Sequence, residues 1–292
     1  MRIGFMLGYD VNSDTQERVE FAVNNNFKCC ELAAEPNCGF FPGDDNWEAK
    51  VDEVLEYFKE RDIRISCLST FYYNNMDPEL RDYGRERVRN SIILAERMNV
   101  PAIAGFSGRI VDKSLEESLP LYKEIWSEHA KFAEDHGVKI AFENCPMGQN
   151  SVPAYGCNMM STPKLWEMAF DAVPSDALGL EWDPSHLICM HIDPVENLRK
   201  FAPKVHHCHA KDGKINWDIV RKYGMWHEPS AEHCFPGLGD TDWGACIKEL
   251  LRAGYDNDLN IEGWHDGVFR DEREDQGLII SLRHLEQFVV QD

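Results

Sequence analysis

Four short apolar segments of this sequence end in a side chain able to bind a metal ion or move a proton. They are Ile140-Ala141-Phe142-Glu143, Leu180-Glu181-Trp182-Asp183, His206-His207-Cys208-His209 and Asn260-Ile261-Glu262. Taken singly, Glu143, Asp183, His209 or Glu262 is the kind of residue that caps a helix or sits solvated in a loop. Taken together they are more informative. If the segments are successive parallel strands of a closed barrel, their C-terminal ends converge on one mouth. Carboxylates gathered among apolar strand ends must either bind protons or share a cation. Three carboxylates and an imidazole form a hard, oxygen-rich set suited to one divalent ion, Mn²⁺ first, with Co²⁺, Mg²⁺ or Zn²⁺ as alternatives.

The elements that must position these residues are legible along the whole chain. Short runs rich in β-formers, at 3–7, 29–33, 63–69, 102–106, 139–143, 178–183, 205–209 and 258–262, alternate with amphipathic stretches at 15–25, 47–61, 79–98, 115–136, 163–172, 194–201, 243–253 and 275–289. Parallel strands joined by crossover helices read this way. Gly137 and Gly254 stand where helices should stop, Asp242 where one should be capped, and Pro163 at a helix start, where its missing N–H costs nothing. No linker or compositional break divides the chain, and the first strand is not followed by a glycine-rich phosphate loop. The expected architecture is a single-domain (β/α)₈ barrel over residues 1–292. Two long stretches, 144–161 and 210–240, follow strands and read as irregular loops at the mouth.

Composition narrows the partners. With 43% hydrophobic residues in 292, the chain can bury a full core. Its net charge of −21 repels polyanions, so neither nucleic acid nor an anionic membrane surface is an expected partner. The N-terminal apolar run is too short for a signal peptide, and nothing approaches the roughly 20 apolar residues of a membrane span. Ten cysteines without any CxxC pair read as reduced thiols, and the expected location is the cytoplasm.

The Phe142-Glu143-Asn144 strand end, Asp183-Pro184-Ser185-His186, His209-Ala210-Lys211-Asp212, the turn Pro236-Gly237-Leu238-Gly239-Asp240-Thr241-Asp242-Trp243, and Ile261-Glu262 occur in this order across the chain. In order and spacing they resemble the xylose-isomerase-like barrel superfamily, and within it the sugar phosphate isomerase/epimerase family. The resemblance implies one divalent ion bound by Glu143, Asp183, His209 and Glu262. It also implies that Glu143 and Glu262 serve as the acid–base pair, that His186 contacts substrate, and that the chain assembles as a homodimer or homotetramer. The chemistry would be abstraction of a proton next to a carbonyl, through an enediolate stabilised by the ion. Return of the proton on the opposite face or to the neighbouring carbon then gives epimerisation or isomerisation.

Other candidates carry two readings each. Lys211 and Asp212 either position substrate or order their loop. Arg109 either reaches the mouth or is a surface cation. Trp182, Trp264, Tyr72 and Phe106 are sugar-stacking walls or barrel packing. The segment His227-Glu228-Pro229-Ser230-Ala231-Glu232-His233 reads as a lid or substrate-contacting loop. His207 shares a strand face with His209 and belongs behind it or in the barrel interior. The expected substrate is a neutral keto sugar, keto-polyol or oxidised 3-keto derivative, since few basic residues are available for a phosphate. A lyase or dehydratase working through the same enolate, similar to inosose dehydratases, is the alternative. A metal-dependent endonuclease is the minor one, because the early strand ends at Ser69-Thr70-Phe71 and Phe106-Ser107 lack the histidines that a trinuclear site would need.

Overall fold

The computed structural model describes residues 1–8, 13–111, 113–147, 156–263 and 265–291. Among them, eight strands close a parallel barrel: β1 (Ile3–Leu7), β2 (Cys29–Ala33), β3 (Arg64–Phe71), β4 (Ala102–Gly105), β5 (Lys139–Glu143), β6 (Leu178–Trp182), β7 (Val205–Ala210) and β10 (Leu259–Ile261). The order around the ring is β1-β10-β7-β6-β5-β4-β3-β2, and β1 pairs with both β10 and β2. Crossover helices α1 (Ser13–Asn24), α2 (Trp47–Glu60), α3 (Arg81–Met98), α4 (Leu115–His136), α5 (Pro163–Ala172), α7 (Pro194–Phe201), α9 (Trp243–Arg252) and α10 (Glu274–Leu285) lie between successive strands or after the last.

The expected boundaries hold to within a few residues because local chemistry sets them. Ser114 and Glu117 form a reciprocal capping box at the start of α4, and Gly137 ends that helix in the left-handed region at φ 68°. Asp242 accepts the Ala245 N–H at the start of α9, and Pro163 occupies the first turn of α5.

One expectation fails. Residues 210–240 are not irregular: β8 (Asp212–Ile215) and β9 (Ala231–Cys234) form an antiparallel ribbon, with α8 (Trp217–Tyr223) between them. Four-residue strands of mixed polarity give too little periodicity to read in a sequence. The ribbon packs on a further short helix after β6, α6 (Pro184–Cys189).

Alternation along the strands divides the interior from the shell. Cys30, Leu32, Ile103, Ile140, Phe142, Leu178, Leu180, Trp182, Leu259 and Ile261 belong to the apolar layer beneath the helices. The residues between them point into the barrel. Part of that interior is small and apolar, with Cys67, Ala102, Ala104 and Ala141 packed together beside Tyr72. The rest is polar and sealed: Glu31, Ser66, Glu181, His207 and Asn260 are fully buried.

Candidate metal centre and proton-transfer site

Glu143, Asp183, His209 and Glu262 converge. A ligand atom from each lies within 4.8 Å of every other, and all four residues are buried. The strand ends are held in register by neighbouring amides. Asn144 donates to the Asp183 carbonyl at 2.8 Å and accepts the Asp183 N–H at 2.7 Å, clamping β5 to β6. Asn158 donates to the Glu143 carbonyl at 2.7 Å. Asp183 caps α6: its Oδ1 accepts the Ser185 N–H at 2.7 Å, which turns Oδ2 toward the cluster.

Charge in the cluster is only partly balanced by the protein. Lys211 is buried, with Nζ 2.9 Å from Glu262 Oε1 and 2.8 Å from His265 Nδ1. Burial works against ionisation of Glu262, yet Lys211 and His209 hold its carboxyl well below the usual range. At Glu143, burial is likewise outweighed by hydrogen bonds from His186 and His209, leaving it at about 2. Asp183 goes the other way, because burial raises it and His186 and Lys211 only partly compensate. Two buried atoms facing this point make only long contacts, Asp183 Oδ2 at 3.3 Å from His186 Nε2 and His209 Nδ1 at 3.2 Å from Glu262 Oε2. Buried polar atoms so weakly paired are costly, and a divalent cation at this position would satisfy both. The residues therefore fit the ion that the sequence resemblance implies.

Behind the cluster, around the His207 expected there, lie Glu31, Glu181 and Asn260, which the sequence did not single out. His209 presents Nδ1 to Glu143 Oε1 and Glu262 Oε2, at 3.5 and 3.2 Å, and Nε2 to Glu31 Oε2 at 2.7 Å. Glu181 accepts from Tyr72 and lies 2.7 Å from His207 Nδ1. Asn260 Nδ2 lies 2.7 Å from His207 Nε2, so that nitrogen accepts and Nδ1 carries the proton. Burial pushes His207 down to about 4, in keeping with a neutral ring. Burial and the neighbouring Glu31 charge push Glu181 well above the carboxylate range, whereas His209 and His207 hold Glu31 ionised against its own burial. The one signal available in the sequence was a charged residue inside each apolar run, Cys-Cys-Glu-Leu-Ala and Leu-Gly-Leu-Glu-Trp.

The other candidates separate. His186 is brought to the site, its Nε2 3.3 Å from both Glu143 Oε1 and Asp183 Oδ2. Lys211 is brought in too. Asp212 instead orders the glycine turn, accepting the N–H groups of Gly213, Gly237 and Thr241. Arg109 is neither a surface cation nor aimed at the cluster: it is 2% exposed and donates to the carbonyls of Gly156, Val111 and Lys113, tying loops together. Trp182 is not a sugar wall. Strand alternation points it outward, fully buried, where it meets Trp243 edge-on at 6.4 Å. Tyr72 serves the interior carboxylates and packs edge-on against Phe106 at 5.0 Å. Trp264 lies outside the described residues. Of the 227–233 segment, His233 reaches the mouth, with Nδ1 2.9 Å from Ser185 Oγ and its ring 4.9 Å from that of His186, while His227 stacks on Tyr223. Among the described residues, no helix is long and apolar enough to cross a membrane.

A closed parallel barrel with acidic and imidazole side chains gathered at the C-terminal mouth defines a class, and comparison with known proteins assigns the family. The chain belongs to the xylose isomerase-like TIM barrels, whose sequence profile matches residues 19–288. It is 34% identical over 148 residues to the uncharacterized protein YfiH of Bacillus subtilis (strain 168), a match covering 47% of this chain and 44% of that protein. The chain thus aligns with less than half the length of this relative. Among solved structures it is similar to a xylose isomerase domain protein from Planctomyces limnophilus (TM-score 0.74, 16% identity, 99% of this chain and 98% of that one). A D-tagatose 3-epimerase-like protein gives a TM-score of 0.71 at 20% identity, over 99% and 97% of the two chains. The 3-keto-D-glucoside 4-epimerase YcjR of E. coli gives 0.71 at 15% identity, over 98% and 99%. At such identities these likenesses speak for the fold alone.

Proposed function

We propose that the protein is a divalent-metal-dependent isomerase or epimerase of a keto sugar or oxidised sugar derivative, with Glu143 and Glu262 as its acid–base pair. The observation that carries this reading is the convergence of Glu143, Asp183, His209 and Glu262 within 4.8 Å at the barrel mouth. A divalent ion held there, Mn²⁺ in the first instance, supplies Lewis-acid polarisation of a carbonyl and its neighbouring hydroxyl. The chain supplies the proton movements. Glu262, kept ionised beside the Lys211 ammonium, takes a proton from the carbon next to the carbonyl. Glu143 stands on another strand and returns a proton passed to it from the His186 imidazolium 3.3 Å away, which Asp183 keeps charged against its burial. The low accessibility of the cluster keeps bulk water from the carbanion-like carbon.

The test is incubation of the Mn²⁺-loaded protein with keto sugars and 3-keto-glucosides in deuterated water. Deuterium next to the carbonyl at otherwise unchanged mass is the expected result, and Glu143→Gln or Glu262→Gln under saturating metal should slow it about 10²- to 10⁴-fold. Loss of water or of an aglycone would move the assignment to a lyase. An exchange rate indifferent to chelation and to both substitutions would overturn it.

A further inference from the structure

A cavity of about 640 Å³ opens beside the metal centre, between α6 and the β8–α8–β9 excursion. Its walls include Met190, Ile192, Met225, Trp226 and Pro229, and at one end it is bounded by His186. His186, which touches both Glu143 and Asp183, borders both the cavity and the proposed reaction centre. We infer that it holds a flat apolar substituent of the substrate, so that the enzyme acts on glycosides with an aromatic aglycone rather than on free sugars. This inference rests on reading the mouth as a keto-sugar site.

Three observations favour this occupant. First, Trp226 is 57% exposed and Met225 39% exposed, and the described residues leave both facing water. Leaving apolar area hydrated forfeits about 25 cal/mol per Å², which a bound apolar group recovers. Second, the lining contains no Lys or Arg among the described residues and does contain Glu228, and its His186 already faces Glu143 and Asp183, so a phosphate or carboxylate substituent finds no counter-charge to spare there. Third, the volume falls within the roughly 300–1,000 Å³ of sites that enclose drug-sized ligands, larger than a lone sugar ring bound at the carboxylates requires. A free monosaccharide, hydroxylated all round, would leave this wall unused.

The experiment compares methyl and phenyl glycosides in both anomeric forms. Calorimetry with unoxidised methyl and phenyl glucosides on the Mn²⁺-loaded protein measures binding without turnover, and deuterium exchange with the corresponding 3-keto-glucosides measures catalysis. The phenyl compound should bind at least about tenfold more tightly than the methyl compound. Trp226→Ala should reduce that ratio to threefold or less, and Met225→Ala should reduce it in part, both in proteins that melt like the parent. Equal affinities, or a phenyl preference untouched by both substitutions, would overturn the inference. A Trp226-dependent phenyl preference without any proton exchange would uphold the cavity and defeat the enolate reading. Exchange without a phenyl preference would do the reverse.

Discussion

Glu31 Oε2 lies 2.7 Å from His209 Nε2, on the opposite side of the imidazole from the carboxylates that face Nδ1. A carboxylate behind a metal-binding imidazole fixes the tautomer and leaves the other nitrogen's lone pair directed at the ion. Replacement of Glu31 by Gln keeps the shape and removes the charge. Mn²⁺ affinity of Glu31→Gln should fall about 10- to 100-fold, as read by calorimetry. An unchanged affinity would reduce Glu31 to a filler of the barrel interior.

Metal binding should expel a proton. Burial works against the charged ring, but the ionised Glu31 and hydrogen bonds to Glu143 and Glu262 hold the His209 imidazole protonated well above its ordinary range. A cation at Nδ1 must displace that proton, so affinity should rise with pH. Titrations in buffers of different ionisation enthalpy should show a net release approaching one proton per ion, and none if His209 is not a ligand. Ion at 100 times its dissociation constant should add about 2.7 kcal/mol of stability, visible as a Tm several degrees higher that chelator reverses.

His129 on α4 gives stability a pH dependence away from the site. It is 2% exposed, packs 5.4 Å from Trp126, and leaves Nδ1 without a hydrogen bond; burial lowers it to about 4. The unfolded chain takes up its proton near pH 6.5 and the folded chain only near pH 4, so this stabilisation is complete above pH 6.5 and declines as pH falls toward 4. At about 1.4 kcal/mol per unit, the loss is on the order of a few kcal/mol. In urea unfolding followed from pH 7 to 4, His129→Phe should flatten this slope. A slope identical to the parent's would assign the acid lability to other groups.

Gly4 on β1 is held to glycine by its neighbour. A Cβ there would stand 1.9 Å from the Cys29 carbonyl oxygen on β2, and the backbone cannot withdraw without breaking the pairing of the two strands. Gly4→Ala should cost at least about 2 kcal/mol and lower Tm by about 3 °C or more. A Tm within one degree of the parent would show that the strands can separate locally.

Much of this molecule follows from near-neighbour rules. Alternation in each strand, the caps of α4 and α9 and the proline opening α5 act within a few residues, and so the barrel and the four converging side chains could be read directly. The ribbon of β8 and β9 could not, because each strand has four residues and its pairing depends on a partner some twenty positions away.

The fates of individual side chains divide on the same line. Glu143, Asp183, His209 and Glu262 were legible because parallel strand ends in a closed barrel must meet. That Glu31 would support His209 across 178 positions was decided only by closure of the ring, which brings β2 within three places of β7 by way of β1 and β10. Likewise the backbone carbonyls that claim Arg109, the outward turn of Trp182 against Trp243, and the arrival of His233 beside His186 are contacts between distant segments. Sequence by itself determined which chemistry the strand tips carry, since burial and periodicity are local. Tertiary structure decided what stands behind and beside those tips, because packing partners are chosen by the whole fold.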